Sequence, residues 1–384
     1  MRYLLLTLFL VGCASVPKGM NDYQRDMAIK SGSYDEVLED MVAKKPFVKE
    51  KDYLLHQLNY AMVLYYDGKY KESNAVFSEC QQYIDYGSDS TSVQQATGVV
   101  IDPSAKKYPI DEYEILSISL FKMLNALNSG NIQNAQAESR RLERVGNLLS
   151  DTRKYNLLEE TAFHTYFSGI IWESQKSGDW SALDTSYVNY KKAYNFKNRK
   201  IPYLPFDLTR LAVQLNRPND VDYWQKQFPY VPKEYPEHIK RKVPSGELII
   251  IFTYGLGPRK TDDPTGPFAT KLSTRFSTVN NIKITVDDKD YGETFEVMSF
   301  DDLAEANYKN RYSGVVGTIG NAFGMGFHDY RTWELLPKAI QIGRVTLSPG
   351  THEVILEVSP TRIETYKVTI ENGKKSVIHI NHPN

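Results

Sequence analysis

The hydrophobic period of this chain changes once, and that change limits what it can fold into. From Tyr53 to about Tyr230, apolar and aromatic residues recur at intervals of three and four. This is the repeat of helices with a buried stripe. Leu54, Leu58, Ala61 and Leu64 form one stripe, and Tyr70, Val76, Phe77 and Cys80 form the next. From Glu247 the pattern is alternating or unbroken: Leu248-Ile249-Ile250-Ile251-Phe252, Ile282 to Val286, then Ile340 to Leu347. Such runs are strands. Residues 231–246, with Pro232, Pro236 and Pro244, read as a stiff linker between the two regimes.

A single unit recurs within the helical region. Asp67-Gly68-Lys69, Ser129-Gly130-Asn131 and Ser177-Gly178-Asp179 each separate two helix-patterned segments. Glycine supplies the left-handed backbone that ends a helix in a tight turn. The units run Tyr53–Tyr86, Tyr113–Asn147 and Phe163–Phe196, and Phe206 to Asn216 reads as a capping helix. Ala61 at a close-contact position, Tyr70 after the turn, and Phe77 and Cys80 at large and small packing positions resemble the tetratricopeptide repeat. Ser73 stands where that motif carries Ala. The glycines are further apart than the usual ~34 residues, and the polar stretch 87–109 reads as an inter-unit loop. The resemblance implies an α-solenoid over 31–230 with a concave surface for a protein or extended peptide. A non-repetitive helical domain is the alternative.

Residues 247–384 read as an antiparallel meander, most simply a β-sandwich. Asn372-Gly373 between alternating runs signals a hairpin. An insertion occupies 299–337. In it Asp301–Tyr312 is helix-patterned with Ser299 as N-cap. Gly314–Phe327 is uncharged, apolar and glycine-rich, too short to span a bilayer. The run Leu347-Ser348-Pro349-Gly350-Thr351-His352, followed by alternating apolar residues, resembles small bacterial prealbumin-like and PEGA-type sandwiches. The expected fold class is therefore α+β and multidomain.

The N-terminus bears on location. Met1-Arg2 precedes an apolar run, Tyr3–Val11, about half the ~20 residues a spanning helix needs. It ends at Leu10-Val11-Gly12-Cys13 and turns polar after Ala14, with Pro17 and Lys18. This resembles the lipobox of bacterial lipoproteins. The resemblance implies that 1–12 is a signal peptide, that Cys13 carries acyl chains including palmitate, and that 13–30 is a tether. It implies lipid attachment to the outer membrane, facing the periplasm, because Ala14 stands where Asp favours the inner membrane. A secretory peptide cleaved elsewhere is the alternative. With Cys13 acylated, Cys80 is left alone and reads as a buried small residue. Asn134–Arg141, Ile249–Lys260 and Asp329–Pro337, taken with the lipobox, resemble an uncharacterised family of bacterial tetratricopeptide-repeat-containing lipoproteins. That resemblance implies the same division into helical repeats and a β domain, and no particular activity.

Composition and motifs narrow the chemistry. A formal net charge of −1 supplies no strong field, which argues against nucleic acid. No G-x-S-x-G elbow, H-E-x-x-H helix or P-loop is present. Gly255-Leu256-Gly257-Pro258 lacks the third glycine of a nucleotide loop, and the seven histidines are scattered. No enzyme activity, cofactor or metal site is expected. The candidate binding residues are Asp329, Arg331 and Trp333. Asp and Arg can pair, Arg can stack on an aromatic ring, and the group suits a carboxylate, a sugar or a partner chain. The alternative is a salt bridge pinning the insertion, with Trp333 buried. Glu138, Arg140 and Arg141 read as helix-pairing residues. The expected function is a membrane-anchored envelope scaffold that binds an envelope protein or peptide through its repeats. The alternatives are a glycan- or peptidoglycan-binding module and, less favoured, an envelope hydrolase.

Overall fold

The structure, a computed structural model, describes residues 19–96, 107–152, 162–174, 179–196, 201–241, 243–262, 270–277, 279, 281–312, 330–359 and 361–383. Cys13, Gly178, Asp329 and the stretch 314–327 lie outside them. The fold is mixed: helices come first along the chain, and mixed and antiparallel sheets follow.

The helices pair as consecutive hairpins: α1 (Asp22–Ser31) with α2 (Tyr34–Lys44), α3 (Tyr53–Tyr66) with α4 (Tyr70–Ala96), α5 (Glu112–Asn128) with α6 (Ile132–Thr152), α7 (Ala162–Glu173) with α8 (Trp180–Asn195), and α9 (Leu204–Gln214) with α10 (Pro218–Gln227). A short α11 (Tyr235–Lys240) follows. Four hairpins turn through one geometry. Gly32, Gly68 and Gly130 have φ of 80°, 74° and 69°, and Asn216 has 53°. At Gly68 its own N–H donates to the carbonyl of Tyr65 at 3.1 Å, and the next N–H, of Lys69, to that of Leu64 at 2.9 Å. The same pair of bonds recurs at Gly32, Gly130 and Asn216. These bonds satisfy helix-end carbonyls that would otherwise be orphaned.

Several expectations for the helical region are corrected. Phe206–Asn216 is not a terminal cap but lies in the first half of a further hairpin, because Asn tolerates the left-handed conformation and Pro218 restarts the helix at its first turn. The expected tether 13–30 overlaps nearly all of α1, which opens on a capping box between Asn21 and Gln24. The expected loop 87–109 is helical through Ala96. The expected linker also holds structure, since α11 lies within it and Tyr235 packs edge-on against Phe206.

The first helix of each middle hairpin is buried almost all round. On α5, nearly every residue from Tyr113 to Ala126 is inaccessible, and on α7 every residue from Ala162 to Ile171. A helix without a polar face must be covered on every side. The sheet supplies that cover. One apolar cluster joins Leu58, Phe121, Phe167 and Leu208 of the inner helices to Ile249, Ile251, Ile340 and Ile342 of the sheet.

That sheet runs β10 (Lys375–His382), β1 (Gly246–Tyr254), β7 (Ala339–Leu347), β6 (Phe295–Ser299). A second runs β5 (Lys289–Glu293), β4 (Lys283–Val286), β8 (Gly350–Ser359), β9 (Arg362–Ile370). A two-stranded pair, β2 (Arg259–Asp262) with β3 (Thr270–Ser273), stands apart, and α12 (Phe300–Tyr312) follows β6. Leu248, Ile250, Phe252 and Tyr254 of β1 face Ile284, Val354 and Leu356 of the second sheet in a separate apolar cluster. The unbroken run 248–252 is thus a strand buried on both faces.

The expected all-antiparallel meander is corrected. β10 pairs parallel with β1, and Asn372-Gly373 joins two sheets rather than closing a hairpin. Burial explains the separation. β9 alternates between half-buried and exposed and suits an outer sheet, whereas β10 buries Ile378 and Ile380 on one side and sets Val377 against the helices on the other.

Six charged side chains meet between the inner helices and the sheet, four of them buried and Glu247 and Arg210 partly so. Arg344 of β7 donates to Asp207 of α9 and to Glu247 of β1, the latter at 2.6 Å through Nε. Arg210 reaches Asp207 at 2.8 Å and also Glu173 of α7. Lys375 of β10 bridges Glu173, at 3.3 Å, and Glu247. Burial pushes both glutamates up, but the surrounding cations outweigh it: Glu173 is held well below the usual carboxylate range and Glu247 falls to about 2. Arg344→Met is predicted to cost about 3–5 kcal/mol, because it removes the cation shared by Asp207 and Glu247 and leaves each with one. Urea unfolding measures the loss, and a change below about 1 kcal/mol, the range of exposed pairs, would show that the cluster is solvated.

Candidate functional site

The residues singled out from sequence occupy the seam between helices and sheet. Arg331 donates to Asp52 Oδ1 at 3.0 Å and to the carbonyl of Lys51 at 3.2 Å. It pins residues 330–338 to the start of α3. Trp333 is buried, edge-on to Phe77 at 5.9 Å and to Phe121 at 6.4 Å between ring centroids. Tyr66 of α3 donates to the carbonyl of Leu335 at 2.9 Å. Arg331 and Trp333 thus anchor the segment in the core, and Trp333 offers no surface to a ligand. Glu138 pairs with Lys122 within the α5–α6 hairpin at 2.5 Å, and Arg141 links that hairpin to α4 through Asp85 at 2.9 Å. The Arg140 guanidinium lies 5.0 Å from the centre of the Trp172 ring.

Beneath Trp333 sits a carboxylate that sequence reasoning passed over. Glu114 is fully buried and accepts from Tyr108 Oη at 2.8 Å, from Asp111 N–H at 2.9 Å and from Trp333 N–H at 3.0 Å. Burial, then Asp111, raises its carboxyl to about 7, against the pull of those donors. The arrangement is the capping box of α5, and its signal was present as Asp111-Glu112-Tyr113-Glu114. Every donor it meets is structural, so Glu114 ties the 330–338 segment to a helix N-terminus. Beside it, Asp111, Tyr113, Lys260, Asn307, Tyr308 and Thr332 line a small cleft of about 10 Å³. Small-molecule sites usually exceed about 300 Å³.

His379 of β10 is sealed in the same seam. Its Nε2 lies 2.6 Å from Tyr65 Oη and its Nδ1 2.8 Å from Asn128 Nδ2. Burial drops its pKa to about 3. Cys80 is buried and free, its thiol pushed up by burial. Among the described residues no group of three His, Cys, Asp or Glu could hold a metal ion, and no helix is long and apolar enough to cross a membrane.

The outer helices are a different surface. Asp85–Arg141 joins α4 to α6, Glu143–Lys192 joins α6 to α8, and Asp184–Arg217 joins α8 to the start of α10. Trp180 of α8 is 59 % exposed, Tyr223 of α10 48 % and Tyr230, which follows α10, 64 %.

The packing of the seam can be measured at two residues. Trp333→Ala is expected to lose about 3–5 kcal/mol in denaturant unfolding, the usual cost of emptying a large aromatic site. An unchanged midpoint would return Trp333 to the surface. His379 binds a proton only in the unfolded chain between pH 6.5 and about 3, so acid weakens the fold over that window. His379→Gln is expected to lose less stability than the native chain between pH 7 and 4.5, by about 2–3 kcal/mol. Parallel stability profiles of the two proteins would rule this out.

Compared with protein-family models, curated proteins and solved structures, the chain matches none.

Proposed function

We propose that this protein is a lipid-anchored, non-enzymatic interaction protein of the bacterial outer membrane, facing the periplasm. In this reading it is a tetratricopeptide-like solenoid wrapped on a β-sandwich, held by Cys13, and its partner binds the outer side of α8 and α10. The observation that carries the binding surface is the exposure of Trp180, Tyr223 and Tyr230 on neighbouring elements. Aromatic residues are enriched at interface centres and dominate hot spots. The concave side, the expected peptide site, is taken up by β1, β7 and β10, which moves the partner to the outside.

The repeat reading is supported by the shared turn at Gly32, Gly68, Gly130 and Asn216 and by lateral ion pairs between successive outer helices. Gly32 and Gly68 are spaced close to the usual ~34 residues. Anchoring is supported by Leu10-Val11-Gly12-Cys13. The glycan-binding alternative needed a solvent-facing Arg331 and Trp333. With one on Asp52 and the other in the core, no observation favours it.

The test is photo-crosslinking in intact cells, with the crosslinker at Trp180, at Tyr223 and, as control, at exposed Lys289 on β5. A discrete adduct from the first two and none from Lys289 is expected. Trp180→Ala with Tyr223→Ala should lower capture of that partner about tenfold, as loss of a hot spot does, with thermal stability unchanged. Cys13→Ser should release the protein from membranes. Identical adduct patterns at all three positions would defeat the proposed surface.

A further inference from the structure

We infer that α1 is a membrane-docking element whose row Tyr23, Met27 and Lys30 rests on the lipid surface to which Cys13 holds the chain. The inference rests on the lipidation reading above and extends it from anchoring to orientation.

α1 keeps large apolar side chains on both of its sides. A helix facing water usually turns its apolar residues inward. On α1 the body side takes Ile29 together with the charges Arg25 and Asp26. Arg25 pairs with Glu334, and Asp26 accepts from Arg259 at 2.9 Å and from Arg275 at 3.0 Å. Arg259 also reaches Glu334, at 2.5 Å. This clasp fixes the helix against β2 and the 330–338 segment. The opposite side carries Tyr23, 72 % exposed, and Met27, 50 % exposed, one turn apart, with Lys30 on the next turn. Buried Ile29 and these ion pairs thus hold α1 in an attitude that turns Tyr23 and Met27 to solvent.

The tether identifies what covers them. Met20 is fixed to the body, its N–H donating to Asp40 at 2.9 Å and its carbonyl accepting from Lys44 Nζ at 2.7 Å. Only about seven residues separate it from Cys13, at most about 25 Å of extended chain. An acylated Cys13 therefore keeps this end of the α1–α2 hairpin within that distance of the bilayer. Phe47, 40 % exposed, lies three residues beyond Lys44 at the same end. Tyr, Phe and Met with flanking lysines suit the headgroup–acyl boundary, where aromatic rings settle and lysines reach out to water. Asp22 and Asp40 offset Lys44 and Lys45 there, so contact is apolar and independent of anionic lipid.

The test uses the full-length acylated chain in phosphatidylethanolamine vesicles with and without phosphatidylglycerol. A spin label is placed at Met27→Cys or, as control, at Lys289→Cys, Cys80 being buried. Power saturation compares collisions with oxygen, which concentrates in lipid, and with a nickel chelate, which stays in water. The expected oxygen-to-nickel ratio is several-fold higher at position 27 than at 289, with or without phosphatidylglycerol. Tyr23→Ser should lower that ratio at position 27 while the protein still co-floats with vesicles. Equal ratios at 27 and 289 in co-floating protein would overturn docking and leave anchoring intact. A label at 27 immobilised and shielded from both reagents would mean a protein surface, a second copy, and would also overturn it. Protein that fails to co-float would remove both readings.

Discussion

A central sheet apolar on both faces has to be covered twice, and the rest of this structure follows from that. β1 places Ile249 and Ile251 toward the helices and Leu248, Ile250 and Phe252 toward the second sheet. Burial of each is worth roughly 1.5–3 kcal/mol, so these five positions contribute on the order of 10 kcal/mol before chain entropy is charged. Neither layer can leave without exposing one half of that area. The inner helices have the matching problem, since α5 and α7 lack a polar face. Helices and sheet each need the other, and they share a common core.

Apolar area alone does not set how the two layers align, because greasy surfaces slide. Polar contacts fix the alignment at separated points. Arg344, Glu247 and Lys375 on three adjacent strands meet Glu173, Asp207 and Arg210 on two inner helices. Further along, His379 meets Tyr65 and Asn128. Buried ion pairs of this kind add little net stability over apolar residues but penalise any displaced pairing. These contacts penalise slippage of β7 and β10 against the helices that carry Tyr65, Asn128, Glu173 and Asp207.

Local structure was legible where it depends on local chemistry. The hairpin turns at Gly68 and Gly130 needed only glycine and spacing, and β1 needed only its β-branched run. The α1–α2 hairpin was hidden because α1 turns Arg25 and Asp26 inward beside a single large apolar residue, Ile29, so its period looks like tether. Asn216 was hidden because its turn is built without glycine. Asn372-Gly373 was read correctly as a turn and wrongly as a hairpin, since a tight turn does not say which sheet the next strand joins. The deciding signal, burial of Ile378 and Ile380 beside Val377, is tertiary. The two readings of Arg331 and Trp333 turned on the same point, and burial of Trp333 follows the structural one. Arg331 and Trp333 have the right chemistry for a ligand, but sequence does not distinguish a tryptophan against Phe77 and Phe121 from one facing solvent.

A sheet packed along the inner helices changes how such an array can work. Hairpins contact mainly their neighbours in sequence, from α1 through α11, as stacked repeats do. The first hairpin stands at one end of this order, Trp180 and Tyr223 belong to the last two, and Tyr230 follows α10. With packed helices about 10 Å apart, four hairpin steps separate these ends by on the order of 40 Å. Under the proposed anchoring at Cys13 and seating on α1, the aromatic end would point away from the bilayer. The inner side of the helices is covered by the sheet, so under the proposed function partner choice would depend on the outer helices and on reach from the membrane, not on a closing groove.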